Sequence, residues 1–362
     1  MKAGSWTLYR TSMTVTRTML ITLPLALILM GQACGVGKTS GPTPGGVFRS
    51  TDGATTWQQV VYVGQDEEGK PITIDGVGIN KLVFSPQDPD VIYAVAGAAG
   101  LFRTTNRGEQ WQRLLAIPVS ALVLHPRDRE VAYMASQKRL WRTTDAGVNW
   151  QPVYLEATPE VEITDLGQDQ QNPDAIYLST NRGVVAIKSD DSGERWQLTY
   201  LFDQSMSRLF VNPRDSRILY AVQANGMIWR SGDAGVTWTE ITSNLREQLK
   251  VSPRAFQDLV FLPGEADGFL YVNQQGLYRS LDGGTTWQEL PLLTAPGAVK
   301  ISALAVNPQR QQDIWYTTGG VLFSSSDGGE RWRTLPVPST LRVSSILVHP
   351  RDPRTLYLGF SR

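Results

Sequence analysis

Ser280-Leu-Asp-Gly-Gly-Thr-Thr-Trp287 decides the fold, because this pattern recurs seven times along the chain. Its Asp can accept hydrogen bonds from the backbone of a tight turn. The Gly three residues before Trp supplies positive φ at little steric cost, and the Ser hydroxyl can tie the turn to its flanking strand. Trp then starts the return strand and is expected to pack between sheets. Each copy therefore predicts a β-hairpin.

The seven copies, here called boxes, share a first Ser or Thr, a third Asp or Asn and a final Trp. Their third and last residues are Asp52 and Trp57, Asn106 and Trp111, Asp145 and Trp150, Asp191 and Trp196, Asp233 and Trp238, Asp282 and Trp287, and Asp327 and Trp332. Successive Trp residues lie 39 to 54 positions apart. A repeat of about 40–45 residues is the size of a four-stranded propeller blade.

A second signature lies between the boxes. It is an apolar strand, a turn built on Pro and usually Asp, and a strand that ends near Tyr, as in residues 82–94. Equivalent segments are 122–134, 166–178, 209–221, 259–272, 304–316 and 346–358. Such apolar strands fit burial between neighbouring blades. One unit is therefore strand, Pro turn, strand, short Gly loop, strand, box and Trp strand.

The two ends of the repeat region carry complementary halves of a unit. Residues 46–61 supply the box hairpin, and residues 345–361 supply the Pro-turn hairpin. Joining them would complete a seventh blade and remove exposed sheet edges. The predicted fold is an all-β, seven-bladed β-propeller over 46–362, closed by pairing of the N- and C-terminal half-blades.

Composition excludes several classes of function. The 34 basic and 34 acidic residues balance, which argues against non-specific nucleic-acid binding. The single cysteine, Cys34, allows no intrachain disulfide. His125 and His349, the two histidines, each precede a Pro at equivalent repeat positions, which argues against a His-based metal site or catalytic relay. No metal and no cofactor are expected.

The N-terminus is predicted to be a targeting segment. Three basic residues precede an apolar run over 19–30, and small residues follow. We expect residues 1–33 to be a signal peptide and 34–45 to be a flexible tether rich in Gly, Pro, Ser and Thr. Cys34 stands where a bacterial lipoprotein carries its lipidated cysteine, although Gly31 replaces the usual Leu. The expected location is the cell membrane, facing away from the cytoplasm, with plain secretion as the alternative.

The box motif resembles the BNR or Asp-box repeat. With the interleaved Pro-turn signature, the chain resembles the group of propellers that includes sortilin, xyloglucanases and photosystem II assembly factors. This resemblance covers residues 46–361 and implies the fold more strongly than any function, because Asp boxes serve unrelated activities. It places the boxes on the blade periphery, so the Asp and Trp residues of the boxes are expected to be structural.

Candidate ligand-binding residues are expected on the opposite face, where the longest links, residues 62–81, 153–164 and 240–257, are predicted to run as loops. Near the starts of the innermost strands are Lys81, Asp165, Arg208 and Asp258, interspersed with Ala121, Ala303 and Ser345. In a closed ring these could gather at one channel mouth and bind a polar ligand or peptide. Mutual ion pairing is the alternative. The short loops add four further candidates: Arg139, Arg182, Asn225 and Gln274.

Three functions remain open from the sequence. The favoured one is a non-enzymatic, surface-tethered scaffold that binds or assembles an unknown protein or glycan partner and acts as a monomer. The second is a glycoside hydrolase, which needs two carboxylates, such as Asp165 and Asp258 or a pair from Glu156, Glu160 and Glu162. No sialidase motif is present, and xyloglucanases place their cleft between two propellers. The third is a sortilin-like peptide-binding module, although sortilin has more blades and a Cys-rich module.

Overall fold

Short β-strands make up almost all the regular structure of the described chain. The computed structural model describes residues 45–182, 185–189, 191–253, 256–295, 297 and 300–361. These residues form seven four-stranded sheets and one two-stranded sheet, and every strand pair is antiparallel. The predicted all-β propeller is confirmed. The predicted signal peptide, Cys34 and all of the predicted tether except Gly45 lie outside the described residues.

Strands are numbered in chain order, and the four-stranded sheets are numbered I to VII. The chain begins with two strands of sheet VII and a separate two-stranded hairpin: β1 (Gly46–Ser50), β2 (Gln58–Gln59), β3 (Tyr62–Gln65) and β4 (Pro71–Thr73). Sheets I to VI follow, each made of four consecutive strands. A 3₁₀ turn (Gly97–Ala99) lies in sheet I, and helix α1 (Thr242–Leu249) precedes sheet V.

The strands of sheets I to III are β5 (Lys81–Phe84), β6 (Ile92–Val95), β7 (Leu101–Thr104), β8 (Trp111–Leu115), β9 (Ala121–Leu124), β10 (Ala132–Ser136), β11 (Arg139–Thr143), β12 (Gln151–Leu155), β13 (Ile163–Gln168), β14 (Ile176–Thr180), β15 (Val185–Ser189) and β16 (Gln197–Leu201). Those of sheets IV to VI are β17 (Met206–Val211), β18 (Leu219–Gln223), β19 (Ile228–Ser231), β20 (Thr239–Glu240), β21 (Asp258–Phe261), β22 (Phe269–Val272), β23 (Leu277–Ser280), β24 (Gln288–Leu290), β25 (Ile301–Asn307), β26 (Arg310–Thr318), β27 (Val321–Ser325) and β28 (Arg333–Pro336).

Sheet VII combines strands from both ends of the described chain. Its last members are β29 (Arg342–Val348) and β30 (Leu356–Ser361), and its order is β2-β1-β30-β29. Phe48 on β1 pairs with Leu358 on β30. The N-terminal strand therefore lies inside a sheet, with partners on both sides.

Apolar clusters join each sheet to the next, and sheet VII to sheet I. Side chains alternate across a strand, so both faces of the second strand can be buried. On β6, Ile92 and Ala94 pack toward sheet VII, whereas Tyr93 and Val95 pack toward sheet II. This explains why the apolar runs of the repeat are nearly continuous. The same arrangement recurs at every interface between neighbouring sheets.

The Pro turns and the boxes lie at the same end of the sheets. Ile92 pairs with Phe84, next to the Pro turn, and with Thr104, which opens the box. We call this end the turn face. The opposite end, where the first strand of each sheet begins, is the loop face.

Side chains of the Pro turns connect every pair of neighbouring sheets. Five of the seven bonds donate to a backbone carbonyl of the following turn. One is a side-chain pair between sheets VI and V, and one runs from sheet VII to sheet I. They run from Gln87 to His125, Arg127 to Gln171, Gln171 to Arg214, Arg214 to Gly264, Gln311 to Glu265, Gln309 to Pro350 and Arg351 to Gln87. We call this set the turn girdle. It uses up polar groups that would otherwise face solvent.

Two long links contain regular structure where loops were expected. The link 62–81 forms the hairpin β3–β4, and the link 240–257 forms α1. The helix packs on the box of sheet V, where the Gln248 Oε1 atom accepts the Trp287 backbone N–H at 3.0 Å. Asn244 donates to the Gly284 carbonyl, also at 3.0 Å. The repeat pattern could not predict the β3–β4 hairpin or helix α1, because neither element recurs along the chain.

Candidate functional site

The first strands of the sheets converge on one cavity at the loop face. Its volume is about 800 Å³. Its walls include all four residues predicted to gather at a channel mouth: Lys81, Asp165, Arg208 and Asp258. The interspersed Ala121, Ala303 and Ser345 also line it. We call it the central cavity.

β-bulges aim several of these side chains at the cavity. Strand pairing shifts register immediately before Asp165, Arg208, Ala303 and Ser345. A bulge inserts one extra residue and redirects the side chain that follows it. These residues occupy equivalent positions in the repeat and share a β-bulge. Both features bring residues of different sheets to one wall of the central cavity.

Asp165 links two neighbouring sheets. One carboxylate oxygen accepts the Leu166 backbone N–H at 3.0 Å, and the other accepts that of Leu209 in sheet IV at 3.0 Å. Ser345 acts similarly, since its hydroxyl accepts the Leu82 N–H of sheet I at 3.0 Å. Both side chains therefore accept a backbone N–H group from the first strand of another sheet. That strand lies at the edge of its sheet, so no further strand pairs with it there.

Asp258 lies in an environment set by burial and by three charged neighbours. Burial raises the pKa of its carboxyl, and the positive charges of Arg208 and Lys81 oppose that shift. The negative charge of Asp165 adds to the rise in the Asp258 pKa. One carboxylate oxygen accepts the Leu259 backbone N–H at 2.9 Å. The cavity thus holds carboxylates and cations that influence one another.

Two polar lining residues were missed from the sequence. Arg342 and Asn80 both line the central cavity and are exposed. Arg342 is the first residue of β29, the first strand of its repeat unit. This position could have identified it from the sequence as a cavity residue. With Lys81 and Arg208, it gives the cavity three cations against two carboxylates.

The four short-loop candidates do not join this site. Arg139, Arg182, Asn225 and Gln274 are exposed near the connections between second and third strands, and none lines the central cavity. The Asn225 side-chain oxygen accepts the Met227 N–H at 3.0 Å, which closes its own turn.

The boxes on the turn face use their polar groups internally. In each, one side-chain oxygen of the third residue accepts a backbone N–H four residues later. The donors are Thr56, Gln110, Asn149, Arg195, Thr237, Thr286 and Arg331. Hydrogen bonds to the charged form, from the Thr237 side chain and backbone for Asp233 and from the Asn149 backbone and side chain for Asp145, lower the pKa of both carboxyls to about 2. The carboxylates are therefore occupied in holding turns.

The box Trp residues differ in burial. Trp111 is 1% exposed and Trp287 is 7% exposed, and the other five are half-buried. Four indole N–H groups donate to a carbonyl of the preceding sheet, for example Trp111 to Val60 at 2.9 Å. Each of those rings therefore contributes to the contact between neighbouring sheets.

Neither a metal centre nor a membrane-spanning helix occurs among the described residues. No group of three or more His, Cys, Asp or Glu side chains in that part of the chain could hold a metal ion. No described helix has the length and hydropathy needed to cross a bilayer.

Comparisons with known proteins agree with the predicted resemblance to xyloglucanases and photosystem II assembly factors. No protein-family model matches the chain. A xyloglucanase from Paenibacillus sp. is 29% identical over 58% of this chain, which spans only 20% of that enzyme. The photosystem II assembly lipoprotein Ycf48 from Picosynechococcus sp. is 24% identical over 66% of this chain and 79% of its own length. The relatives are therefore xyloglucanases and Ycf48 proteins.

Solved structures show the fold shared with these relatives. A xyloglucanase from Xanthomonas campestris superposes with a TM-score of 0.65 at 16% identity, over 84% of this chain and 52% of that one. YCF48 bound to D1 peptide gives a TM-score of 0.60 at 19% identity, over 79% of this chain and 94% of that one. The chain spans about half of the matched xyloglucanase structure but nearly all of YCF48.

Proposed function

We propose that the protein is a non-enzymatic binding or assembly scaffold that holds a segment of a protein partner at the central cavity. The observation that carries this proposal is the convergence of Lys81, Asp165, Arg208 and Asp258 on one cavity of about 800 Å³. Concave sites with a few converging polar groups on a rigid frame suit ligand recognition. On the opposite face, many polar groups are bonded within the boxes and the turn girdle.

A peptide is the ligand class that best suits this lining. Peptide segments carry backbone donors and acceptors as well as side chains of either charge, and the cavity offers both cations and carboxylates. Two comparisons support this class: an assembly protein matches over most of its own length, and a propeller of similar fold binds a D1 peptide. The identity of the partner here is left to experiment.

Affinity capture with matched variants tests the proposal. The tagged protein is expected to recover a stoichiometric protein partner from its native envelope, and Arg208→Ala and Lys81→Ala to weaken that recovery. Arg129→Ala, an exposed Arg of a Pro turn on the turn face, is the control. Recovery of polysaccharide alone, or equal loss with all three variants, contradicts the proposal.

A glycoside hydrolase is the second candidate, favoured by the raised pKa of Asp258 in the cavity. Several relatives are xyloglucanases, but this chain spans only 20% of the first of them. Asp165, the other candidate carboxylate, already accepts two backbone N–H groups. Release of reducing ends from xyloglucan, abolished by Asp258→Asn, would support hydrolysis over scaffolding.

The seven four-stranded sheets, we infer, are seven blades, with sheet VII closing the ring. Apolar clusters and girdle bonds at all seven interfaces support this inference. A chain that ends before β29 is expected to lose the single cooperative unfolding transition of the full chain. An unchanged transition would contradict closure by sheet VII.

Export and lipid anchoring through Cys34 are also proposed, on the sequence pattern alone. The wild-type protein is expected in the membrane fraction and Cys34→Ala in the soluble fraction outside the cytoplasm. Membrane retention of Cys34→Ala would contradict the anchor. Light scattering of the soluble variant tests the expected monomer.

A further inference from the structure

Basic side chains cross several of the grooves between neighbouring sheets on the turn face. In the units of Arg49 and Arg103, the residue just before the box sends its side chain toward the box of the next sheet. The Arg49 guanidinium donates to the Arg107 carbonyl at 3.1 Å, and Arg103 donates to the Ala146 carbonyl at 2.5 Å. The Tyr357 hydroxyl, on the strand beside Arg49, also donates to Arg107 O at 3.3 Å. The box carbonyl is thus a repeated acceptor.

One interface departs from this arrangement. The residue before the box is basic in six units and Ser324 in sheet VI: Arg49, Arg103, Arg142, Lys188, Arg230 and Arg279 are its equivalents. The cross-strand partner, Tyr in five units, is Trp315 opposite Ser324. The Arg and Tyr that would reach toward sheet VII are both missing here.

The space left by this exchange is open. A Cβ atom built on Gly53, the residue of the sheet VII box that faces this groove, would meet nothing within 4 Å. At the equivalent Gly283 it would meet Arg230 Nε at 2.7 Å, and at Gly328 it would meet Arg279 Nη1 at 3.4 Å. A cavity of about 580 Å³ occupies the groove between sheets VI and VII, and we call it the rim cavity.

The rim cavity carries uncompensated positive charge. Arg310 is held by an ion pair with Asp313, and the Asp327 carboxylate accepts the Ser325 hydroxyl and the Arg331 N–H. Arg333 donates to the Ser324 hydroxyl at 2.7 Å. Neither Arg333 nor Arg354 pairs with a carboxylate among the described residues. A cation is therefore disfavoured in this cavity, and an anion is favoured.

We propose that the rim cavity binds an anionic saccharide, with its acidic group against Arg333 and Arg354. Guanidinium groups bind carboxylate and sulfate strongly and with defined geometry. Sugar hydroxyls suit the remaining wall, which offers the exposed Ser326 and the Gly53 carbonyl as polar partners and the half-buried Trp332 as a ring surface. An acidic peptide would supply the anion without the ring of hydroxyls. This site is separate from the central cavity and does not depend on its function.

Calorimetry with tetragalacturonate as the probe tests this proposal, with galactotetraose and tetraglutamate as the neutral and peptide comparisons. Wild-type protein is expected to bind tetragalacturonate at least about tenfold more tightly than galactotetraose, the effect of one charged contact. It is also expected to bind tetragalacturonate more tightly than tetraglutamate, which has carboxylates but no sugar hydroxyls. Arg354→Gln should weaken binding about tenfold. Arg129→Gln, an exposed Arg on another Pro turn, should leave it unchanged.

Restoring the repeat gives the sharper test. Ser324→Arg with Trp315→Tyr recreates the usual pair and is expected to place a guanidinium beside Gly53, as Arg230 lies beside Gly283. It adds a positive charge, yet it should abolish tetragalacturonate binding, because the new side chain occupies the space beside Gly53 that the sugar would fill. Thermal unfolding verifies that the double variant folds. Unchanged or tighter binding by a folded double variant, or equal binding of tetraglutamate, overturns the proposal by showing only general attraction of anions.

Discussion

The turn face and the loop face differ in what their polar side chains do. At the turn face, the girdle and the boxes bind side chains to the backbone at every interface, as in the Gln87 bond to His125. At the loop face, Lys81, Arg208 and Arg342 stand exposed around a cavity. Polar and charged residues at opposite ends of one repeat can therefore have different roles. At one end they hold the backbone, and at the other they are available to a ligand.

Removing a turn-face Trp is the most severe way to test this division. Trp111 is 1% exposed and joins sheet I to sheet VII, so Trp111→Ala should destabilise the fold by about 3–5 kcal/mol. Denaturant unfolding measures this loss. The half-buried Trp332 gives a matched comparison, and Trp332→Ala should cost less. Equal losses would show that burial does not set the contribution of the box Trp.

Acidification should lower the stability of the protein through the box carboxylates of the turn face. The pKa of Asp145, Asp191 and Asp233 is lowered to about 2 by hydrogen bonds to turn backbone and side chains. A carboxyl whose folded pKa lies below its unfolded value stabilises the fold above about pH 4, and this contribution is lost as pH falls toward 2. Melting temperature should therefore drop between these values.

The variant Asp145→Asn isolates the contribution of one box to this acid sensitivity. Its melting temperature should fall less steeply than that of the wild type between pH 4 and pH 2, in buffers that span about that range. Glu67→Gln, at the exposed tip of the β3–β4 hairpin, is the control and should leave the slope unchanged. If the melting temperatures of wild type and Asp145→Asn fall in parallel as pH decreases, the box carboxylate does not contribute to the acid response.

One girdle bond should have a smaller effect. Gln87 donates to the His125 carbonyl at 2.8 Å, and Gln87→Ala should cost about 0.5–1.5 kcal/mol of unfolding free energy. Arg129→Ala, on the neighbouring Pro turn, should stay within about 0.5 kcal/mol of wild type. If the two variants have equal stability, the girdle bond between sheets I and II contributes nothing measurable.

The smallest stability effect is expected at the central cavity. Arg208 is exposed, so Arg208→Ala should change the unfolding free energy by less than about 0.5 kcal/mol while partner recovery falls. Differential scanning calorimetry and affinity capture on one preparation separate the two effects. A large loss of stability would instead assign Arg208 to the scaffold.

The sequence predicted features that repeat and missed those that do not. The spacing of the Trp residues indicated the strands, and the strand starts brought Lys81 and Asp258 to one cavity. The hairpin β3–β4 and helix α1 occur once each, so no alignment of units could reveal them. Ser324 was visible as the one exception among seven aligned positions. The open space beside Gly53 could not be predicted from this exchange. It depends on which residues of the next sheet an Arg at this position would contact.

The position of β1 has a consequence for the time course of folding. β1 is the first strand of the described chain to leave a ribosome or a translocation channel, but it pairs with β30, the last. One edge of β1 must therefore wait for the whole intervening chain, and contacts between distant segments slow folding. During that delay, an unpaired strand edge can recruit the wrong partner. Until its final strand emerges, the nascent chain therefore leaves one edge of β1 unpaired.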